Sequence, residues 1–146
     1  MAFQIYPFYK GPDGIFRPWV SVNIINPTTH AAISVLALLD TGADKCVFPK
    51  VVADQLGLDL KGAAVGEEIM QGLGAVKIPV WKHEFRIELP TSDKRGIFWK
   101  SKNMTIGCVE HDTIPPILGF EDFMCHFKIM FNYATRRIVI DDHPII

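Results

Sequence analysis

Cysteine is scarce in this 146-residue chain, and its three copies, Cys46, Cys108 and Cys125, show no paired spacing. An odd count with no framework spacing argues against a disulfide scaffold, so all three are expected as buried thiols. Long apolar runs are missing too. The longest, Val35 to Leu39, falls far short of the ~20 residues of a membrane-spanning helix. The opening Met1-Ala2-Phe3-Gln4-Ile5-Tyr6-Pro7 lacks a positive segment followed by an apolar stretch, so no secretory leader is expected and the expected location is cytoplasmic. Neither sign of charge dominates. Lys plus Arg number 15 against 16 for Asp plus Glu, and no basic stripe is interleaved with aromatics, which argues against a nucleic-acid partner. The cluster of Lys94 and Arg95 with Lys100 and Lys102 reads as a solvated turn region. The histidines, His30, His83, His111, His126 and His143, form no His-x-x-x-His pair, so no metal site is expected. A serine-hydrolase elbow of the form Gly-x-Ser-x-Gly is absent as well.

What is present fits one domain over residues 1–146, with an ordinary apolar fraction of 49% and enough chain to bury a core. Ten prolines and eleven glycines punctuate short apolar runs, and no segment keeps a long helical period, so the expected class is all-β. Trp19 to Ile25 and Ile33 to Leu39 flank the turn Asn26-Pro27-Thr28-Thr29 and read as a hairpin. Pro49 to Leu56, stopped by Gly57, reads as a short helix. Glu68 to Trp81 reads as a second hairpin with a glycine-rich tip. Phe85 to Leu89 is a separate half-exposed strand, and another is expected from Met104. Phe120 to Met124 suits one or two helical turns. His126 to Phe131 and Arg137 to Ile140 close the chain as a third hairpin.

One residue breaks this pattern. Asp40 follows five apolar residues directly, and a charge at the edge of a core is costly unless it is used or paired. Thr41-Gly42 then turns the chain. Gly42 permits close backbone approach and can aim its N–H at a carboxylate, while the Thr41 hydroxyl can lock the turn. Such a turn would hold one carboxylate rigidly in a water-poor place. Asp-Thr-Gly alone is a short and common match. Two further features add to it: Leu38-Leu39 before it with Ala43-Asp44 after it, and the distant step Ile117-Leu118-Gly119.

As a set, these residues resemble the retropepsin-like aspartic proteases, the single-domain family that includes the retroviral proteases. Ile69-Met70-Gln71-Gly72-Leu73-Gly74-Ala75-Val76 looks like the flap tip of that family, and Arg17 to Val22 like the strand leading into its active-site hairpin. Order and approximate spacing match from about Arg17 to Phe123. Residues 1–16 then form an N-terminal extension and 141–146 a possible free tail, and the ending is more like cellular and bacterial members than viral ones. The resemblance implies a small closed, barrel-like β fold with one or two short helices. It implies Asp40 as the catalytic carboxylate, with Thr41 and Gly42 completing the motif and Thr41 bracing a second subunit. Ala43, Asp44, Gly72, Leu73 and Gly74 would bind substrate, and Ile117, Leu118 and Gly119 would support the active site.

Only one Asp-Thr-Gly occurs, and the length leaves no room for a second lobe. An aspartic protease needs two carboxylates, so a homodimer acting on peptide or protein is implied, with no cofactor, nucleic acid or membrane. In viral members an Arg follows the step matching Ile117-Leu118-Gly119 and pairs with the acid matching Asp44. Here Phe120-Glu121-Asp122 follows, so Asp44 needs another partner or stays solvated. The alternative from another class is a catalytically inactive dimerisation or peptide-binding module of the same fold.

Overall fold

The computed structural model describes residues 3–142. In chain order the strands are β1 (Phe3–Pro7), β2 (Tyr9–Lys10), β3 (Phe16–Arg17), β4 (Trp19–Ile25), β5 (Ala32–Leu39), β6 (Val47–Pro49), β7 (Gly66–Gln71), β8 (Lys77–Pro90), β9 (Ile97–Lys100), β10 (Met104–Val109), β11 (Ile117–Leu118), β12 (Lys128–Asn132) and β13 (Arg137–Asp141). The single α-helix among the described residues, α1 (Lys50–Gln55), lies between β6 and β7.

The strands form because apolar residues alternate. In β4, Val20, Val22 and Ile24 are buried while Trp19, Ser21 and Asn23 are half-buried on the other face. β5 pairs antiparallel with it from Trp19 opposite Leu38 to Ile25 opposite Ala32, which delivers Asp40 at the far end of the hairpin. The larger sheet runs β10-β6-β11-β5-β4-β8-β7, and β10 also pairs with β8. Six of these strands therefore close into a ring, with β7 hairpinned onto β8 beside it. The main core fills the ring with Phe48, Phe85, Ile87, Leu89, Ile106, Leu118 and Phe123, all fully buried.

Four sequence expectations are corrected. The hairpin arm ending at Trp81 and the strand Phe85–Leu89 are one 14-residue strand, β8. Polar His83 hides the continuity. It is buried and satisfied by the Leu60 carbonyl, 2.8 Å from Nε2, and the buried side of the strand changes phase between Val80 and His83. The helix expected over Phe120–Met124 is a turn followed by a 3-10 turn at Met124–His126, which delays the next strand from His126 to Lys128. There the Phe120 and Glu121 N–H groups bond the carbonyls of Ala43 and Asp44. Cys46 and Cys108 are buried, but Cys125 is exposed, with its Sγ donating to the Glu121 carbonyl at 2.9 Å. The Thr41 side chain is exposed and makes no hydrogen bond among the described residues, so its hydroxyl does not lock the turn within one chain.

The helix read over Pro49–Leu56 is α1, with Pro49 just before it and Gly57 stopping it at φ +75°. Its Val51 N–H is capped from afar by Asp112 Oδ1 at 3.1 Å. A second, three-stranded sheet has the order β1-β13-β12, so Phe3–Pro7, within the segment read as an extension, forms an edge strand against β13. The segment read as a free tail starts inside β13 at Asp141, and residues 143–146 lie outside the described residues. Among the described residues no helix is long and apolar enough to cross a membrane.

Candidate active site

Asp40 is placed by three strands' worth of backbone. The Leu39 N–H donates to the Pro18 carbonyl at 3.1 Å and the Leu38 N–H to the Pro116 carbonyl at 2.9 Å. β11 lies parallel to β5, with Ile117 opposite Leu38 and Leu118 opposite Leu39, and the Asp40 N–H donates to the Leu118 carbonyl at 3.1 Å. The apolar run thus ends wedged between two neighbours, and the half-buried carboxylate emerges at the rim of the core. The Gly42 N–H donates to Asp40 Oδ1 at 2.9 Å, and the Ala43 N–H donates to the Asp40 carbonyl at 3.1 Å, which closes a tight turn. A Cβ on Gly42 would press on Oδ1 at 3.3 Å, so glycine keeps the carboxylate clear.

Gly119 has the stricter steric requirement. A Cβ there would overlap the N, C and O of Lys45, so only glycine lets the chain pass this close to the loop after Asp40. From that contact the two segments are joined. The Gly119 N–H reaches Cys46 Sγ at 3.4 Å, Phe120 N–H reaches the Ala43 carbonyl at 2.9 Å, and Glu121 N–H reaches the Asp44 carbonyl at 2.7 Å. The Asp44 carboxylate itself is exposed and makes no ion pair or hydrogen bond among the described residues.

The remaining sequence candidates lie on the β7–β8 hairpin. Its tip is a 3-10 turn over Leu73–Ala75 flanked by Gly72, whose N–H bonds the Val76 carbonyl at 2.8 Å. Gly74 and Ala75 both adopt positive φ, +74° and +63°. The tip-proximal half of this hairpin, where Met70 lies opposite Ile78, joins the Asp40 region through a small apolar cluster. Val47, Val80 and Val109 are buried there, with Met70, Ile78, Ile114 and Ile117 packed against them. Ile117 therefore belongs to both halves of the candidate site: the strand register beside Leu38 and the apolar cluster shared with the hairpin arms. No group of three metal-ligating side chains occurs among the described residues.

Sequence reasoning missed one contact. The Asp122 carboxylate accepts the Cys46 N–H through Oδ2 at 3.0 Å. The departure at Phe120-Glu121-Asp122 was visible, but its use was not, because the two partners are 76 residues apart.

The chain matches no family model and no curated protein in sequence. Solved structures do resemble it. A retropepsin-like aspartic protease from Rickettsia conorii superposes with a TM-score of 0.58 at 16% identity, over 94% of this chain and 91% of that one. Weaker overlaps are found with the retroviral protease-like domain of Ddi1 from Leishmania major (TM-score 0.49, 18% identity, 86% of this chain and 90% of that one) and with EIAV protease in complex with the inhibitor HBY-793 (TM-score 0.44, 20% identity, 75% and 86%). With its ring of strands, its Asp40 turn beside β11 and its near-complete overlap with the rickettsial enzyme, the chain has the retropepsin-like aspartic protease fold.

Proposed function

We propose that the chain is one protomer of a homodimeric aspartic endopeptidase, with Asp40 from each copy forming the catalytic pair. The observation that carries this reading is the Asp40 turn: a half-buried carboxylate oriented by the Gly42 N–H and fixed to β11 through its own N–H. A single carboxylate cannot both activate water and donate a proton. A two-fold axis beside Asp40 supplies the second from an identical surface. Two carboxylates that close share one proton, because both cannot ionise cheaply.

In the cycle, the ionised carboxylate takes a proton from a water held between the pair. The water oxygen bonds to the peptide carbonyl carbon while the protonated partner donates to the carbonyl oxygen. The C–N bond then breaks as a proton passes to the leaving nitrogen, and the pair returns to its one-proton state. Acid–base help of this kind contributes roughly 10²–10⁴-fold in rate. Positioning and water exclusion contribute further. In this reading the β7–β8 hairpin is the flap, with Gly72, Leu73 and Gly74 covering an extended peptide. Main-chain hydrogen bonds to Gly42 and Asp44 fix the peptide's register, and Ala43 lies against the peptide.

The test is cleavage of a broad peptide library at pH 4 to 7 by the purified chain and by Asp40→Asn, each at several protein concentrations. Cleavage should rise faster than linearly with protein and be lost in the variant. Cleavage that survives in Asp40→Asn assigns the activity elsewhere. Absence of cleavage by the wild type at every concentration sinks the reading.

A further inference from the structure

The loop after Asp40 is held at its two ends by different means. At the Asp40 end the turn closes on itself, through Gly42 N–H to Oδ1 and Ala43 N–H to the Asp40 carbonyl. At the other end the chain enters the core at Cys46, which is buried. Cys46 comes just before β6, so its N–H is paired outside the strand ladder, with the side chain of Asp122. The bonds from Phe120 and Glu121 use backbone N–H groups that any non-proline residue has. The bond to Cys46 needs a short side chain with an acceptor at position 122, and the half-buried Asp122 supplies it.

We propose that Asp122 is a positioning residue for the active site, holding the Ala43–Lys45 backbone in the conformation that receives substrate. The inference rests on the aspartic-protease reading and deepens it. Without this acceptor a buried N–H is orphaned, and Cys46 must shift toward water or another partner. Asp40 stays where it is, because its N–H bond to Leu118 and its own turn do not involve Asp122. The disturbance therefore falls on Ala43 to Lys45, next to the reacting carboxylate, so it weakens substrate binding more than the chemical step.

The test compares wild type, Asp122→Ala and Asp122→Asn on a peptide that the wild type cleaves, at protein concentrations where activity per protomer has become constant. Asp122→Ala should raise KM about tenfold with kcat within about twofold. Asp122→Asn keeps a side-chain carbonyl that can accept the same N–H, and should return KM to within about threefold of wild type. A fall in kcat at unchanged KM would mean only fewer folded dimers and would overturn the proposal, as would an Asp122→Ala enzyme indistinguishable from wild type. Amide hydrogen exchange supplies a readout that needs no activity. Exchange at Cys46 should quicken at least about tenfold in Asp122→Ala, while the Asp40 and Gly42 amides keep their wild-type rates. If the wild type cleaves no peptide, the protease reading fails, and the exchange rates still decide: unchanged protection of Cys46 overturns the role of Asp122.

Discussion

Two loops of the candidate site use glycine for opposite reasons. Against the loop after Asp40, Gly119 at the end of β11 is needed because there is no space: a Cβ would run into the Lys45 backbone. At the tip of the β7–β8 hairpin, a Cβ on Gly74 would meet nothing within 4 Å, and glycine serves only the positive φ of +74°. The first loop is bonded on both flanks, to its own turn and to Gly119–Asp122. The second is a 3-10 turn with the Gly72 N–H bonded to the Val76 carbonyl, and Ile69 and Val76 are exposed beside it. The site thus divides into a part held against the core and a part that reaches into solvent. Such a division suits chemistry that needs a fixed carboxylate and a cover that admits substrate.

Substitutions at these two glycines should behave very differently. Gly119→Ala should have the largest effect. The overlap is with backbone, which no rotamer change relieves, so a destabilisation of about 2–4 kcal/mol is expected in urea unfolding, with cleavage lost. A wild-type unfolding midpoint for this variant would show that the close approach to Lys45 does not exist. Gly74→Ala faces only the backbone cost of positive φ, about 1 kcal/mol, and Ala75 already holds φ +63° beside it. That cost falls on an exposed tip. The global midpoint should barely move, while kcat/KM for peptide drops about threefold. A midpoint lowered as far as in Gly119→Ala would mean that the tip is tied into the core after all.

How far the sequence revealed these two regions differs in the same way. Asp40 stood out because a charge after five apolar residues violates the core pattern, and Ile117-Leu118-Gly119 stood out as the second piece of a spaced pair. The grip between them did not, because it is made of backbone N–H groups and one carboxylate distant in sequence, none of which leaves a periodic signal. The turn at Gly72–Gly74 was legible from its glycines. The strand behind it was not, because buried His83 interrupts the apolar pattern of β8 while its ring is satisfied by the Leu60 carbonyl. The register of β1 against β13 escaped for another reason. Phe3, Ile5 and Pro7 are exposed while Gln4 and Tyr6 are buried, so the inward face carries a polar residue that finds its partner at Ser92. Cys125 was misplaced because residue type predicts burial only on average, whereas a 3-10 turn sets its side chain outward.

The thiols offer the mildest test of the same contrast. Cys46 sits inside the grip, and burial pushes its thiol up to about 12 from 9.0; burial does the same for Cys108. Cys125 is exposed. Brief alkylation of the native protein at pH 8 should therefore modify one thiol, Cys125, and leave two protected until unfolding. The pH dependence follows from the direction of the shifts. A thiol whose pKa is higher in the folded chain binds its proton more tightly there. The resulting stabilisation is complete below about pH 9 and is lost progressively as pH rises toward 12. The urea midpoint should accordingly be level from pH 7 to 8.5 and fall between pH 9 and 11, beyond what a variant lacking the buried Cys108 thiol, Cys108→Ala, shows over the same range. Alkylation of Cys46 as fast as Cys125 at pH 8 would show that the loop after Asp40 opens freely, and the distinction between a held loop and a pliable tip would then fail where it matters most, beside the carboxylate.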